Sequence, residues 1–153
     1  MELYTLVTLE VWVSFASLGL SVMFVILLLS FIMALIGPQS KGPSVVVEPR
    51  GAIIQIISIS GAPGVILAGI TFGLVKDYGS KCAGLILCGT GIVLILGMVT
   101  SIKMLPMVPI YYSIGEFLPV WYGFLASAIA IILIGIKMTR IKRRRIPWDD
   151  VNF

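Results

Sequence analysis

Val22-Met23-Phe24-Val25-Ile26-Leu27-Leu28-Leu29-Ser30-Phe31-Ile32-Met33-Ala34-Leu35-Ile36 is the centre of a thirty-residue stretch, Val11 to Ser40, without a single Asp, Glu, Lys or Arg. About 20 apolar residues in a helix cross a hydrocarbon core of roughly 30 Å. This stretch is longer, so a helix built on it crosses a bilayer with tilt to spare. A helix also pairs its own backbone amides and carbonyls, which a solvent without hydrogen bonds demands. No water-soluble fold of 153 residues needs such a segment.

The rest of the chain agrees. Only 12% of residues are charged and 59% are hydrophobic, against about 25% charged in soluble domains. Mean hydropathy is +1.11. Three further uncharged runs, Gly51 to Val75, Cys82 to Ile102 and Phe117 to Ile136, each reach the length of a membrane span. The sequence therefore predicts an all-α integral membrane protein, a four-transmembrane-helix bundle with spans at about 11–36, 52–76, 82–103 and 117–138. Residues 140–153 form a basic tail, and the length leaves no room for a soluble domain. The first ten residues carry Glu2 and Glu10 but no Lys or Arg, so the basic start of a cleavable signal peptide is missing and none is expected.

Punctuation lies between the runs. Gly37-Pro38 ends the first, and Pro49-Arg50-Gly51 precedes the second, with Val45-Val46-Val47 as a short extended piece between them. Lys76 to Lys81 reads as a tight turn, and Met104 to Glu116, with Pro106, Pro109 and Gly115, as a loop. With four spans, eight basic side chains fall on one side: Lys76, Lys81 and six between Lys137 and Arg145. Three fall on the other: Lys41, Arg50 and Lys103. Cytoplasmic loops carry the excess of Lys and Arg, so both termini are expected to be cytoplasmic. Trp12 and Tyr78 then mark one interface, and Tyr111, Tyr112, Trp121 and Tyr122 the other.

Catalytic and metal-binding signals are sparse. There is no histidine, the commonest metal ligand and the usual general base near neutral pH. Cys82 and Cys88 lie six apart within one span and cannot pair without breaking it, so they read as small packing residues. Met98, Met104 and Met107 present soft sulfur of the kind that selects Cu(I). Without His or a nearby reactive Cys they read as apolar filler. No carboxylate lies in mid-span. Proton-driven small multidrug transporters and the rotor subunits of rotary ATPases both depend on one, so both are excluded. No nucleophile–base pair or metal set can be assembled, so the chain is not expected to be an enzyme or to hold a cofactor. No internal repeat suggests an inverted-repeat transporter.

Three features remain. Gly61, Pro63 and Gly64 interrupt the second span. Pro63 cannot donate to the carbonyl of Ile59 and crowds it, so a bend is expected between Ile59 and Pro63. Such a break either shapes packing or exposes carbonyls along a transport path. Small residues recur at four-residue spacing, as Gly69 with Gly73, Gly123 with Ser127, and Ala126 with Ala130. They suit close helix packing, within the bundle or against another chain. The run from Lys137 to Arg145 packs six of the eleven basic residues into nine positions, ahead of Trp148 and Phe153. Arg140, Lys142, Arg143, Arg144 and Arg145 suit anionic headgroups or a partner's acids, with Trp148 and Phe153 as apolar anchors. Other integral membrane subunits and anionic lipids are the expected partners, and nucleic acid is not.

The Ile-rich spans, the Lys137–Arg145 run and the ending Pro147-Trp148-Asp149-Asp150 resemble the small accessory membrane subunits of archaeal respiratory-type complexes, ammonia monooxygenase among them. The resemblance covers overall build. It implies a non-catalytic subunit, with copper and substrate chemistry on partner chains, and carries no catalytic residue onto this sequence. The alternative reading is a small four-helix transporter or channel that uses the break at Pro63.

Overall fold

The computed structural model describes residues 2–36, 49–76, 80–108 and 118–140. Among them every element is helical: α1 (Glu2–Ile36), α2 (Pro49–Ile56), a π turn (Ile57–Gly61), α3 (Ala62–Val75), α4 (Lys81–Met104), a 3-10 turn (Leu105–Met107) and α5 (Leu118–Arg140). Four units are long and apolar enough to cross a membrane: Leu9–Ile36, Pro49–Val75, Lys81–Met107 and Leu118–Arg140. The protein is thus a multi-pass membrane protein of four helical spans.

The boundaries follow local chemistry. Helix α1 starts nine residues before its expected edge, because nothing before Gly19 breaks it, and it stops ahead of Gly37-Pro38. Ser80 caps α4: its backbone is extended (φ −122°, ψ 112°) and its hydroxyl accepts from the Ala83 N–H at 3.4 Å. The third span outlasts its expected end at 103, since Pro106 stands in the first turn of the 3-10 segment, where a missing N–H is tolerated. The expected extended piece at Val45–Val47, the aromatic pair Tyr111 and Tyr112, and the tail beyond Arg140 lie outside the described residues.

Helix α4 is the centre of the bundle. Half of its most apolar window is buried, against 22% for α1 and α5. It packs on α1 and α5, and α1 also packs on α3. Buried positions recur in alternating steps of three and four. On α4 they include Gly84, Leu87, Gly91, Leu94, Met98 and Ser101; on α1, Ser14, Ser17, Ser21, Phe24 and Leu28. A seven-residue repeat is the period of left-handed packing between nearly parallel helices. Trp121, Ala128 and Gly135 extend the repeat to α5.

Close approach depends on glycine at the α4–α5 seam. A Cβ on Gly84 would lie 2.9 Å from the Gly135 carbonyl, and one on Gly135 would lie 2.8 Å from the Gly84 carbonyl. Cys88 lies on this seam too, its sulfur 3.8 Å from the Ile132 carbonyl, whereas Cys82 is exposed.

Candidate functional site

The second span departs from regular α-helix near its middle, whereas the 3-10 turn of the third span lies at its end. In its π turn the Ala62 N–H reaches back five residues to the carbonyl of Ile57. Pro63, next in line, has no N–H. The carbonyl of Ser58 therefore has neither its α partner, Ala62, nor its π partner, Pro63. The break expected from Pro63 takes this form: one extra residue is wound into the turn ahead of the proline. Such single π turns are frequent at functional sites.

The two sides of the turn differ sharply. Inward, Gly61 and Gly64 are buried. A Cβ on Gly61 would stand 2.9 Å from both the Phe24 and Phe124 rings, which pack 4.7 Å apart and tilted by 32°. Gly64 admits α1: a Cβ there would meet the Ser21 hydroxyl at 3.1 Å, and its carbonyl accepts the Ser17 hydroxyl at 2.9 Å. Ser60 turns back on its own helix and donates to the Ile56 carbonyl at 2.9 Å. A recess of about 10 Å³ adjoins the turn, bordered by Phe24, Ile53, Ile57, Met98, Trp121 and Phe124 among others. These walls offer apolar surface and no ion-coordinating set. Outward, Gln55 and Ser58 are exposed, alongside Ile54 and Ile59.

The small residues at four-residue spacing lie on the outside. Nothing within 4 Å would meet a Cβ on Gly69, Gly73 or Gly123, and Ala126 and Ala130 are exposed. Ser127 is half-buried, its hydroxyl spent on the Phe124 carbonyl at 2.8 Å. Close packing within the chain falls instead to Gly61, Gly64, Gly84, Gly91, Gly97 and Gly135, with the serine column Ser14, Ser17 and Ser21. Most of these do not stand out in the sequence. The available signal was recurrence at seven residues, as in Ser14 and Ser21, Gly84 and Gly91, or Ala128 and Gly135. Four-residue spacing belongs to right-handed crossings of the GxxxG kind.

At one end of the bundle, exposed Lys76, Lys81, Lys137 and Arg140 gather where α3 and α5 end and α4 begins. Glu10 of α1 is buried at the same end, 7% exposed. Its burial had no sequence signal, since a carboxylate at a span edge reads as solvated. Arg140 is the one tail residue in a described helix; Lys142, Arg143, Arg144, Arg145, Trp148 and Phe153 lie outside the described residues. No group of three or more His, Cys, Asp or Glu that could hold a metal ion occurs among the described residues. No known family model, curated protein or solved structure matches the chain.

Proposed function

We propose that this chain is a non-catalytic accessory subunit of a larger multi-subunit complex in the cell membrane, with both termini on the cytoplasmic side. One observation carries the reading. The outward side of α5 carries Tyr122, Gly123, Ala126 and Ala130, then the larger Leu133, then Lys137 and Arg140, all exposed. Small residues in lipid favour helix contacts over lipid contacts, because they let another backbone come close. The cations that follow supply charge for a partner's carboxylates or for anionic headgroups. By the resemblance of the sequence, the complex is a copper-dependent ammonia monooxygenase, whose copper sits on other chains; no cofactor is assigned to this one.

The test is co-purification from native membranes in mild detergent. Arg143, Arg144 and Arg145 all changed to Lys, and separately Trp148→Ala, are expected to weaken recovery of partner subunits while membrane insertion is kept. Lipid attraction tolerates Lys for Arg, whereas a protein dock uses the planar guanidinium fork and a shaped pocket for the indole. Retention of every partner by both variants would reduce the tail to a membrane anchor. Labelling of cysteines placed in the tail and in the 39–43 loop is expected to report opposite sides of the membrane.

A second reading, a small transporter or channel, is supported by the π turn at Ile57–Gly61. It requires solute flux in proteoliposomes holding the chain alone, and the aromatic packing of Phe24 and Phe124 against Gly61 weighs against it.

A further inference from the structure

We infer that the outward side of the second span is a contact between two copies of this chain, held by Gln55 of one against Gln55 of the other. The inference goes beyond the subunit reading, because it needs no other protein and concerns a different span.

Depth comes first. The span Pro49–Val75 has its midpoint at Ala62. At 1.5 Å per residue, Gln55 is about 10 Å from that midpoint and Ser58 about 6 Å. A hydrocarbon core of roughly 30 Å extends about 15 Å either way. Both side chains therefore lie within hydrocarbon depth, and both are exposed. Neither has a hydrogen-bond partner among the described residues. A primary amide brings two donors and an acceptor oxygen with two lone pairs. The Ser58 carbonyl, deprived of a helical donor by the π turn and Pro63, adds a further acceptor on this turn. Lipid satisfies none of these groups, and each costs free energy while unpaired.

The occupant follows from symmetry. Copies inserted in the same sense carry Gln55 at the same depth. A two-fold axis along the membrane normal sets one amide against the other, and an amide is complementary to itself. An unlike partner would have to bring a matching polar group to that depth independently. The surrounding surface accepts a parallel copy. From Gln55 the outward positions run through Ile59, Ala62, Ile66, Gly69 and Gly73, in steps of four and three. That is the spacing the bundle uses inside. Ile59 and Ile66 are 57% and 60% exposed, and Ala62 is half-buried. Such an isologous contact closes at two copies.

The test uses the full chain, purified alone and placed in phospholipid bilayers at graded protein-to-lipid ratios. Single-molecule photobleaching reads the monomer–dimer balance. The wild type is expected to dimerise reversibly, and Gln55→Leu to weaken dimerisation about tenfold. Leu96→Ala on α4, at an exposed position outside both surfaces, is expected to leave it unchanged. A second measurement locates the contact. In a Cys82→Ser, Cys88→Ser background that keeps Gln55, Ile59→Cys is expected to form a disulfide-linked dimer under mild oxidation. Thr100→Cys, exposed on α4, is expected not to. A wild type that stays monomeric at every ratio overturns the inference, as does Gln55→Leu dimerising like wild type. Cross-linking from Thr100→Cys but not from Ile59→Cys overturns it as well. Loss of partners by the tail variants, with this dimer intact, would bear on the subunit reading alone.

Discussion

The α4–α5 seam and the outer side of the second span are built from the same materials, and only one of them is closed. At the seam, Gly84 and Gly135 bring two backbones so near that each would crowd the other's carbonyl with a single added methyl. On the outer side, Gly69 and Gly73 meet nothing within 4 Å, and Gln55 and Ser58 stand exposed. Water would explain an open polar face in a soluble protein. In lipid the distinction between inside and outside is not apolar against polar, since lipid tails are as apolar as leucine. It is whether small and hydrogen-bonding groups have found another helix. The seam has found one within the chain; the outer side has not.

The largest effect expected from this contrast is at Gly135. Gly135→Leu drives a side chain into Cys88 and the Gly84 carbonyl, 2.7 and 2.8 Å from the first added carbon. Backbone cannot rotate aside, so the cost is expected at or above the upper end of the about 1–3 kcal/mol seen for overpacked cores. Gly123→Leu makes the same change on the same helix, facing outward, and is expected to stay within about 0.5 kcal/mol. Reversible unfolding of the monomer in detergent compares the two. Equal costs would mean that α5 is rotated relative to α4 from the arrangement described here.

Gly61→Val is expected to cost less, about 1–3 kcal/mol. The obstacles there are the Phe24 and Phe124 rings at 2.9 Å, and rings can turn where a carbonyl cannot. Near-ultraviolet circular dichroism, reporting the aromatic environment, is expected to change in this variant and not in Gly69→Val. An unchanged spectrum with full destabilisation would place the strain in the π turn itself.

The spans were legible because hydrocarbon forces them: four uncharged runs of sufficient length have no other stable form in lipid. The helix break was legible because Pro63 removes a donor whatever its surroundings, although a wound-in extra residue rather than a simple bend was not foreseeable from composition. Which small residues close the bundle was far less legible. Gly69-Ile70-Thr71-Phe72-Gly73 has the familiar four-residue pattern, yet only Thr71 of its five residues is buried. That hydroxyl returns to its own helix, donating to the Leu67 carbonyl at 2.8 Å. Glycine is equally apt on either side of a helix in lipid, so its rotational placement rests on the crossing geometry of all four spans together. The inner serines were hidden for the same reason. Ser17 and Ser58 look alike in sequence, and only packing separates one that touches Gly64 from one that faces outward.

That pair of serines gives the smallest expected effect. Ser17→Ala removes the one side-chain hydrogen bond from α1 to α3 among the described residues, donated to the Gly64 carbonyl at 2.9 Å. The carbonyl is not stranded by the loss, because within α3 it also stands in position to accept the N–H four residues on. Nor does a missing hydroxyl open a void large enough to matter beside Gly64. Interhelical hydrogen bonds in membranes average about 0.6 kcal/mol, since the separated helices find other partners, and Ser17→Ala is expected near that value. Ser58→Ala is expected to cost the monomer nothing measurable, because its hydroxyl has no partner within the described chain. Unfolding at protein-to-detergent ratios that keep the chain monomeric reads this difference without interference from any second copy. A cost above about 1.5 kcal/mol at Ser17 would mean that its hydroxyl does more than join two helices. A comparable cost at Ser58 would mean that the outer side of the second span is already closed in the monomer, and the contrast between the two regions would fail.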